Sequence, residues 1–259
     1  MYGWRGRIGL MVPTGNSVME PEFNRMAPDG VSVHANRVYL KDVTPQSLAG
    51  MEAHAAESAR GLASIRIGVL AFGCTSGSFV GGKGYDEKLI RLMEDATGIP
   101  ATTTTTAVVR ALRLIGVRRI ALATPYSDEV TALEARFLED HGFEVTRRAA
   151  GGIVEVADIQ ECEPHAAYDS ARAVDNDRAE AVFISCTGLR TLEIIERLEA
   201  DLGKPVVTSN QATFAESLRI LGVREVRPGF GSLFARTFAA MEEQTASAGK
   251  VAPLRARAQ

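Results

Sequence analysis

Cys74 and Cys186 stand 112 residues apart, each followed by threonine and preceded by an apolar run. The runs are Gly68-Val69-Leu70-Ala71-Phe72-Gly73 and Ala181-Val182-Phe183-Ile184-Ser185. A thiolate and a thiol on opposite walls of one cleft could take a proton from one face of a small molecule and return one to the other. A second match has the same offset: Arg7-Ile8-Gly9-Leu10-Met11-Val12-Pro13 recurs as Arg119-Ile120-Ala121-Leu122-Ala123-Thr124-Pro125. Two matches at one offset predict a duplicated chain whose halves meet about a pseudo-twofold axis. Each thiol is expected just past a strand, at the start of a helix. There, free N–H groups and partial positive charge would bring its pKa from ~8.5 towards or below neutrality. The residues alone leave a buried structural role open for both cysteines. Cys162, at no recognisable strand end, is expected to be a small buried hydrophobe.

Four loops follow apolar runs in the places where open α/β sheets bind ligands. They are Pro13-Thr14-Gly15-Asn16-Ser17, Gly73-Cys74-Thr75-Ser76-Gly77-Ser78, Pro125-Tyr126-Ser127 and Ser185-Cys186-Thr187-Gly188. None is a dinucleotide fingerprint or a phosphate-binding Walker loop. Donors at helix N-termini suit a small carboxylate better than a nucleotide. Asn16 fits either an Asx-turn or an amide that binds carboxylate, and Tyr126 fits either core packing or a phenol donating to substrate. His34, His54, His141 and His165 lack metal-ligand spacing, so no metal site is expected.

To hold these loops, short apolar runs alternate with segments of helical period, which predicts an α/β fold with mostly parallel sheets. Strands are expected at 6–12, 31–39, 68–72, 101–104, 119–123, 144–148, 182–185 and 206–208, with helices in most intervals. Gly98-Ile99-Pro100 and Gly203-Lys204-Pro205 each lead through a helical stretch to a glycine stop, Gly116 and Gly222, suited to a left-handed cap. Thr102 to Thr106 and Thr208 to Gln211 supply N-capping hydroxyls and amides. The expected division is an N-terminal lobe over 1–116, completed by 210–240, a second lobe over 117–209, and a flexible tail over 241–259.

The 259 residues carry a net charge of −3 and no basic block, which gives nucleic acid or an anionic membrane surface little to bind. No apolar run approaches the ~20 residues of a membrane span, and Arg5 and Arg7 interrupt any secretory pattern, so a cytoplasmic protein is expected. Three cysteines at these spacings fit free thiols in a reducing compartment.

Val12-Pro13-Thr14-Gly15-Asn16-Ser17-Val18-Met19-Glu20 resembles the N-terminal signature of maleate cis-trans isomerases. Gly73-Cys74-Thr75-Ser76 and Ser185-Cys186-Thr187-Gly188-Leu189 resemble the paired cysteine loops of the aspartate/glutamate racemase superfamily. Cys74-Thr75-Ser76, Ala123-Thr124-Pro125-Tyr126 and Cys186-Thr187-Gly188-Leu189 are also similar to words of the arylmalonate decarboxylase branch. The resemblance spans roughly residues 6–240. It implies two pseudo-symmetric α/β lobes around an interlobe cleft, no cofactor, a small carboxylate or dicarboxylate substrate and a homo-oligomer. It implies Cys74 as nucleophile or first acid/base and Cys186 as its partner. Pro13, Thr14, Asn16, Thr75, Ser76, Tyr126, Thr187 and Gly188 would bind substrate. The decarboxylases have glycine where this chain has Cys74, and the Gly151 to Glu155 loop lacks the second substrate-binding asparagine of the isomerases. A maleate isomerase-like enzyme is the expected function. The alternatives are decarboxylation with Cys186 as proton donor and a non-catalytic small-acid binding protein.

Overall fold

The computed structural model describes residues 1–248, with side chains described to residue 244. Eight strands form: β1 (Gly6–Pro13), β2 (Val31–Val38), β3 (Val69–Phe72), β4 (Ala101–Thr103), β5 (Arg119–Thr124), β6 (Glu144–Ala150), β7 (Ala181–Ile184) and β8 (Val206–Thr208). In the first half the helices are α1 (Met19–Met26), α2 (Pro45–Gly50), α3 (Glu52–Ala63), α4 (Thr75–Phe79), α5 (Tyr85–Thr97) and α6 (Thr104–Leu114). In the second they are α7 (Asp128–Asp140), α8 (Val156–Glu161), α9 (Pro164–Val174), α10 (Ile195–Leu202), α11 (Ser209–Leu221) and α12 (Leu233–Ala248). Each strand lies within two residues of its expected ends.

The strands make two four-stranded parallel sheets of one topology, β2-β1-β3-β4 and β6-β5-β7-β8. Register repeats as well as order. Ile8 pairs with Val33 and Val69, while Ile120 pairs with Val145 and Ala181, so all three second-half numbers are 112 higher. β3 and β7 are buried along their whole length. Such continuous apolar runs are what a parallel strand covered on both faces requires. The edge strands β2 and β6 are half-buried or exposed over most of theirs.

Equivalent helices join the halves. α6 follows β4 and α11 follows β8, and the two pack on each other, with α11 also touching β3, β4 and β8. Thr103 and Thr208 cap them by accepting from Thr106 N–H and Gln211 N–H, and Gly116 and Gly222 end them at φ 77° and 71°. Phe23 of α1 meets Phe214 of α11 edge-on at 5.0 Å, a contact that contributes about 1 kcal/mol beyond its burial. α12 packs on both α6 and α11. Helix continues to Ala248 where the aperiodic composition led us to expect a flexible tail from residue 241. Its Ala and Glu residues favour helix without an apolar stripe. The rest of that expected tail, 249–259, lies outside the described residues.

Candidate active site

Cys74 lies two residues past β3 and Cys186 two residues past β7, the same place in the two sheets. Both thiols line one cavity, with Pro13, Asn16, Thr75, Ser76, Tyr126, Gln160, Thr187 and Gly188. Leu40, Val43, Val156 and Ile159 supply an apolar wall. The free volume is about 20 Å³, room for a water rather than for a dicarboxylate. Beside the Val43 and Val156 wall, Val43 N–H donates to Val154 C=O at 2.9 Å and Asp42 bridges Glu155 in antiparallel fashion.

The two thiol loops differ locally. Cys74 has extended backbone, φ −143°, and caps α4 by accepting from Gly77 N–H at 3.3 Å. Ser76 Oγ stands 3.8 Å from the same sulfur. Cys186 has φ +106°, a conformation uncommon for any residue with a Cβ and a form of strain that recurs at functional sites. Its sulfur accepts from Gly188 N–H at 3.3 Å, and its own N–H donates to Ser209 Oγ at 3.0 Å. No helix begins at Cys186; the next starts at Ile195. The helix-terminus expectation therefore holds for Cys74 and is corrected for Cys186. Here Glu22 accepts from Thr191 and Leu192 N–H, and so satisfies backbone that a helix would otherwise have paired.

Nor are the resting thiols acidic. Burial pushes Cys74 up to about 11, against the opposing pull of Gly77 N–H and Ser76. Burial pushes Cys186 further, to about 12; Tyr126 and Gly188 N–H oppose it, whereas Cys74 and Glu134 add to it. Desolvation in a small, largely apolar pocket thus outweighs the local donors. Both thiols are therefore protonated at neutral pH in the resting protein.

Tyr126 is 1% exposed; its hydroxyl lies beside the Cys186 sulfur and favours its ionisation, but no hydrogen bond of good geometry forms there. Asn16 is engaged twice: its Oδ1 accepts from Val18 and Met19 N–H, and its Nδ2 donates to Thr187 Oγ1 at 3.0 Å. Thr187 in turn donates to Gly73 C=O. Thr75 Oγ1 donates to Ser209 Oγ, the same oxygen that receives Cys186 N–H. Thr75, Thr187 and Asn16 thereby tie the cysteine loops together across the halves, leaving the Asn16 amide one further proton. Thr14 does not reach the cavity. It is exposed, and its hydroxyl is held at the end of β2 by Leu40 C=O and N–H.

Several lining groups carried no sequence signal. Leu40, Val43, Val156 and Ile159 read as ordinary core residues, and Gln160, which accepts from Ser17 N–H and Oγ, sits in an unremarked helix. Cys162 is half-buried and outside this cavity. Among the described residues no group of three or more His, Cys, Asp or Glu could hold a metal, and no helix is long and apolar enough to cross a membrane.

The family model described as arylmalonate decarboxylase matches residues 8–234. The arylmalonate decarboxylase of Bordetella bronchiseptica is 35% identical over 236 residues, covering 88% of this chain and 95% of the relative. The maleate isomerase of Pseudomonas putida is 29% identical over 245 residues, covering 90% and 98%. A cysteine-to-serine variant of Nocardia farcinica maleate cis-trans isomerase, solved with a covalently bound succinylcysteine intermediate, superposes with a TM-score of 0.84 at 25% identity, covering 88% of this chain and 98% of that one.

Proposed function

Because the chain belongs to the arylmalonate decarboxylase family, we propose that it is a cofactor-independent isomerase or racemase of a small carboxylic acid, most simply a maleate isomerase-like enzyme. The observation that carries this reading is the pair of thiols, from equivalent strand ends, lining one cavity.

Cys74 is assigned the thiolate role because its sulfur stands at the start of α4 and accepts from Gly77 N–H there. From about 11, ionisation at pH 7 costs about 5 kcal/mol. Water entering an open pocket lowers that cost before the substrate seals it. On an alkene diacid, the Cys74 sulfur forms a bond to one alkene carbon, and the displaced π electrons move into the adjacent carboxylate as an enolate-like dianion. The former double bond then rotates, and return of the electrons expels the thiolate. The succinylcysteine of the Nocardia relative supports such an adduct. On a saturated acid, Cys74 takes the α-proton as Cys186 delivers its own to the other face. In both cases Tyr126 Oη, the free Asn16 amide proton and the N–H groups opening α4 would stabilise the charge on carboxylate oxygen.

A second reading is decarboxylation of a malonate-type acid with Cys186 as proton donor. The 35% identity to the Bordetella decarboxylase favours it, as do the apolar wall and the reluctance of Cys186 to ionise. NMR of a panel of small acids in deuterated water separates these outcomes: cis-trans conversion, α-deuterium exchange with inversion, and loss of carbon dioxide leave different products. Isomerisation or inversion is expected. Binding without turnover, unchanged when both cysteines become alanine, would instead make the protein a binding module.

A further inference from the structure

The proposed reaction makes no use of a carboxyl group behind Cys186. Glu134 of α7 is 1% exposed. Its Oε1 accepts from Ser185 Oγ at 2.6 Å, while its Oε2 is buried with no partner. Ser185 is the residue immediately before Cys186, so one short hydrogen bond fastens this acid to the backbone that carries the thiol. The Tyr126 hydroxyl, the other unpaired polar atom of this wall, feels both Cys186 and Glu134. A buried acid with one oxygen fastened and one left unpaired is costly as mere packing, since an apolar side chain of similar size would avoid the loss.

Charge gives the arrangement a purpose. A thiolate at Cys186 and a carboxylate at Glu134 would place two like charges in one dry wall, where neither is screened. Among the described residues, α7 packs most extensively on β6, whose Glu144, Arg147 and Arg148 are exposed, and also on α4, which has no charged residue; the other charged residues of α7, Asp128, Glu129, Arg136, Glu139 and Asp140, are exposed as well. We propose that Glu134 is a positioning residue for the second thiol: through Ser185 it holds the Cys186 strand end, and it competes with Cys186 for the single negative charge this wall accommodates. When Cys186 is a thiolate Glu134 is a neutral acid, and when Glu134 is a carboxylate Cys186 keeps its proton. The two states have the same number of protons and exchange them with solvent. Burial pushes Glu134 up to about 8, so as pH rises this acid gives up its proton first, within reach of ordinary buffers, and its charge then holds the Cys186 proton in place.

This inference rests on Cys186 as a reacting group, but its test does not need turnover. The full chain is labelled with cysteine carrying carbon-13 at Cβ, and the Cys186 signal, assigned by its loss in Cys186→Ala, is followed against pH. In the wild type it should show a small step near pH 8 as Glu134 ionises, well before the thiol itself titrates. In Glu134→Gln, which keeps an acceptor for Ser185, that step should vanish and the thiol midpoint fall by about one pH unit or more. Superimposable curves overturn the proposal. Ser185→Ala is the second variant and keeps the carboxyl: loss of its donor should move the small step to higher pH, and an unmoved step overturns the proposal even if Glu134→Gln does not fold. Full turnover by Cys186→Ala would sink the enzymatic reading while leaving the titration coupling intact.

Discussion

The Tyr126 hydroxyl is buried without a partner in the resting protein, and stability and catalysis make opposite demands on it. Tyr126→Phe removes an unpaired polar group, so the melting temperature should hold or rise by about 2 °C. Turnover should fall about 100-fold, the usual cost of losing one donor to a developing oxyanion. Unchanged turnover in that variant would leave Tyr126 a packing residue. The two cysteines divide the mechanisms. Cys74→Ala and Cys186→Ala should each lower isomerisation or racemisation about 1000-fold or more with the fold intact, because alanine fills the space but neither moves a proton nor adds to an alkene. Retained carbon dioxide release in Cys74→Ala alone selects the decarboxylase reading. The thiols themselves were legible from their matching contexts, but their acidity was not. A sequence reveals the donors beside a sulfur, whereas desolvation depends on Leu40, Val43, Val156 and Ile159 closing over it from distant segments.

Elements set access. The segment after β2 and the segment before α8 meet beside the cavity's apolar wall, through Val43 N–H to Val154 C=O and the Asp42–Glu155 bridge. The bridge sets two acidic residues opposite each other, a pairing that weakens rather than strengthens strand contact. The free volume beside it is about 20 Å³, so substrate entry is expected to part these segments. In a Cys162→Ala background, cysteines placed at 42 and 155 should form a disulfide that abolishes turnover, with activity restored by reductant; full activity in the oxidised form would show another route in. Glycine at 73 is a second constraint of this scale, since a Cβ there would stand 2.9 Å from Met11 C=O, which is backbone and cannot yield. Gly73→Ala should destabilise by about 1–3 kcal/mol in denaturant unfolding. The strands were legible almost to the residue because parallel central strands are continuous apolar runs. The irregular stretch after Cys186 was not, because its backbone is satisfied by Glu22, a side chain over 160 positions away in sequence.

For the whole molecule, repetition of the sheets contrasts with specialisation at the site. The pairings of Ile8 and Ile120 superimpose at 112 residues, yet one thiol caps a helix and the other sits at φ +106°. Such a site exists only when both halves are docked, and Glu22 is one of the ties. From α1 it accepts from Thr191 and Leu192 N–H and from Asn210 Nδ2, and Asn210 also donates to Thr187 C=O beside Cys186. Burial raises Glu22 from 4.5 to about 7 despite those donors, and Glu134 from 4.5 to about 8. The folded state therefore binds more protons than the unfolded chain between pH 4.5 and about 7 to 8. Their contribution to stability is fully present below 4.5 and is lost as pH rises through the folded values. His34, lowered by burial, acts in the opposite sense from a partly exposed position. Urea midpoints should accordingly decline from pH 5 to pH 8, by on the order of a few kcal/mol in unfolding free energy. Glu22→Gln should flatten the part of that decline below about pH 7 while leaving the part that belongs to Glu134. A midpoint that rises across this window in the wild type, or a slope that the variant leaves untouched, would mean that Glu22 is ionised throughout and that its three donors, rather than burial, govern the tie between the halves.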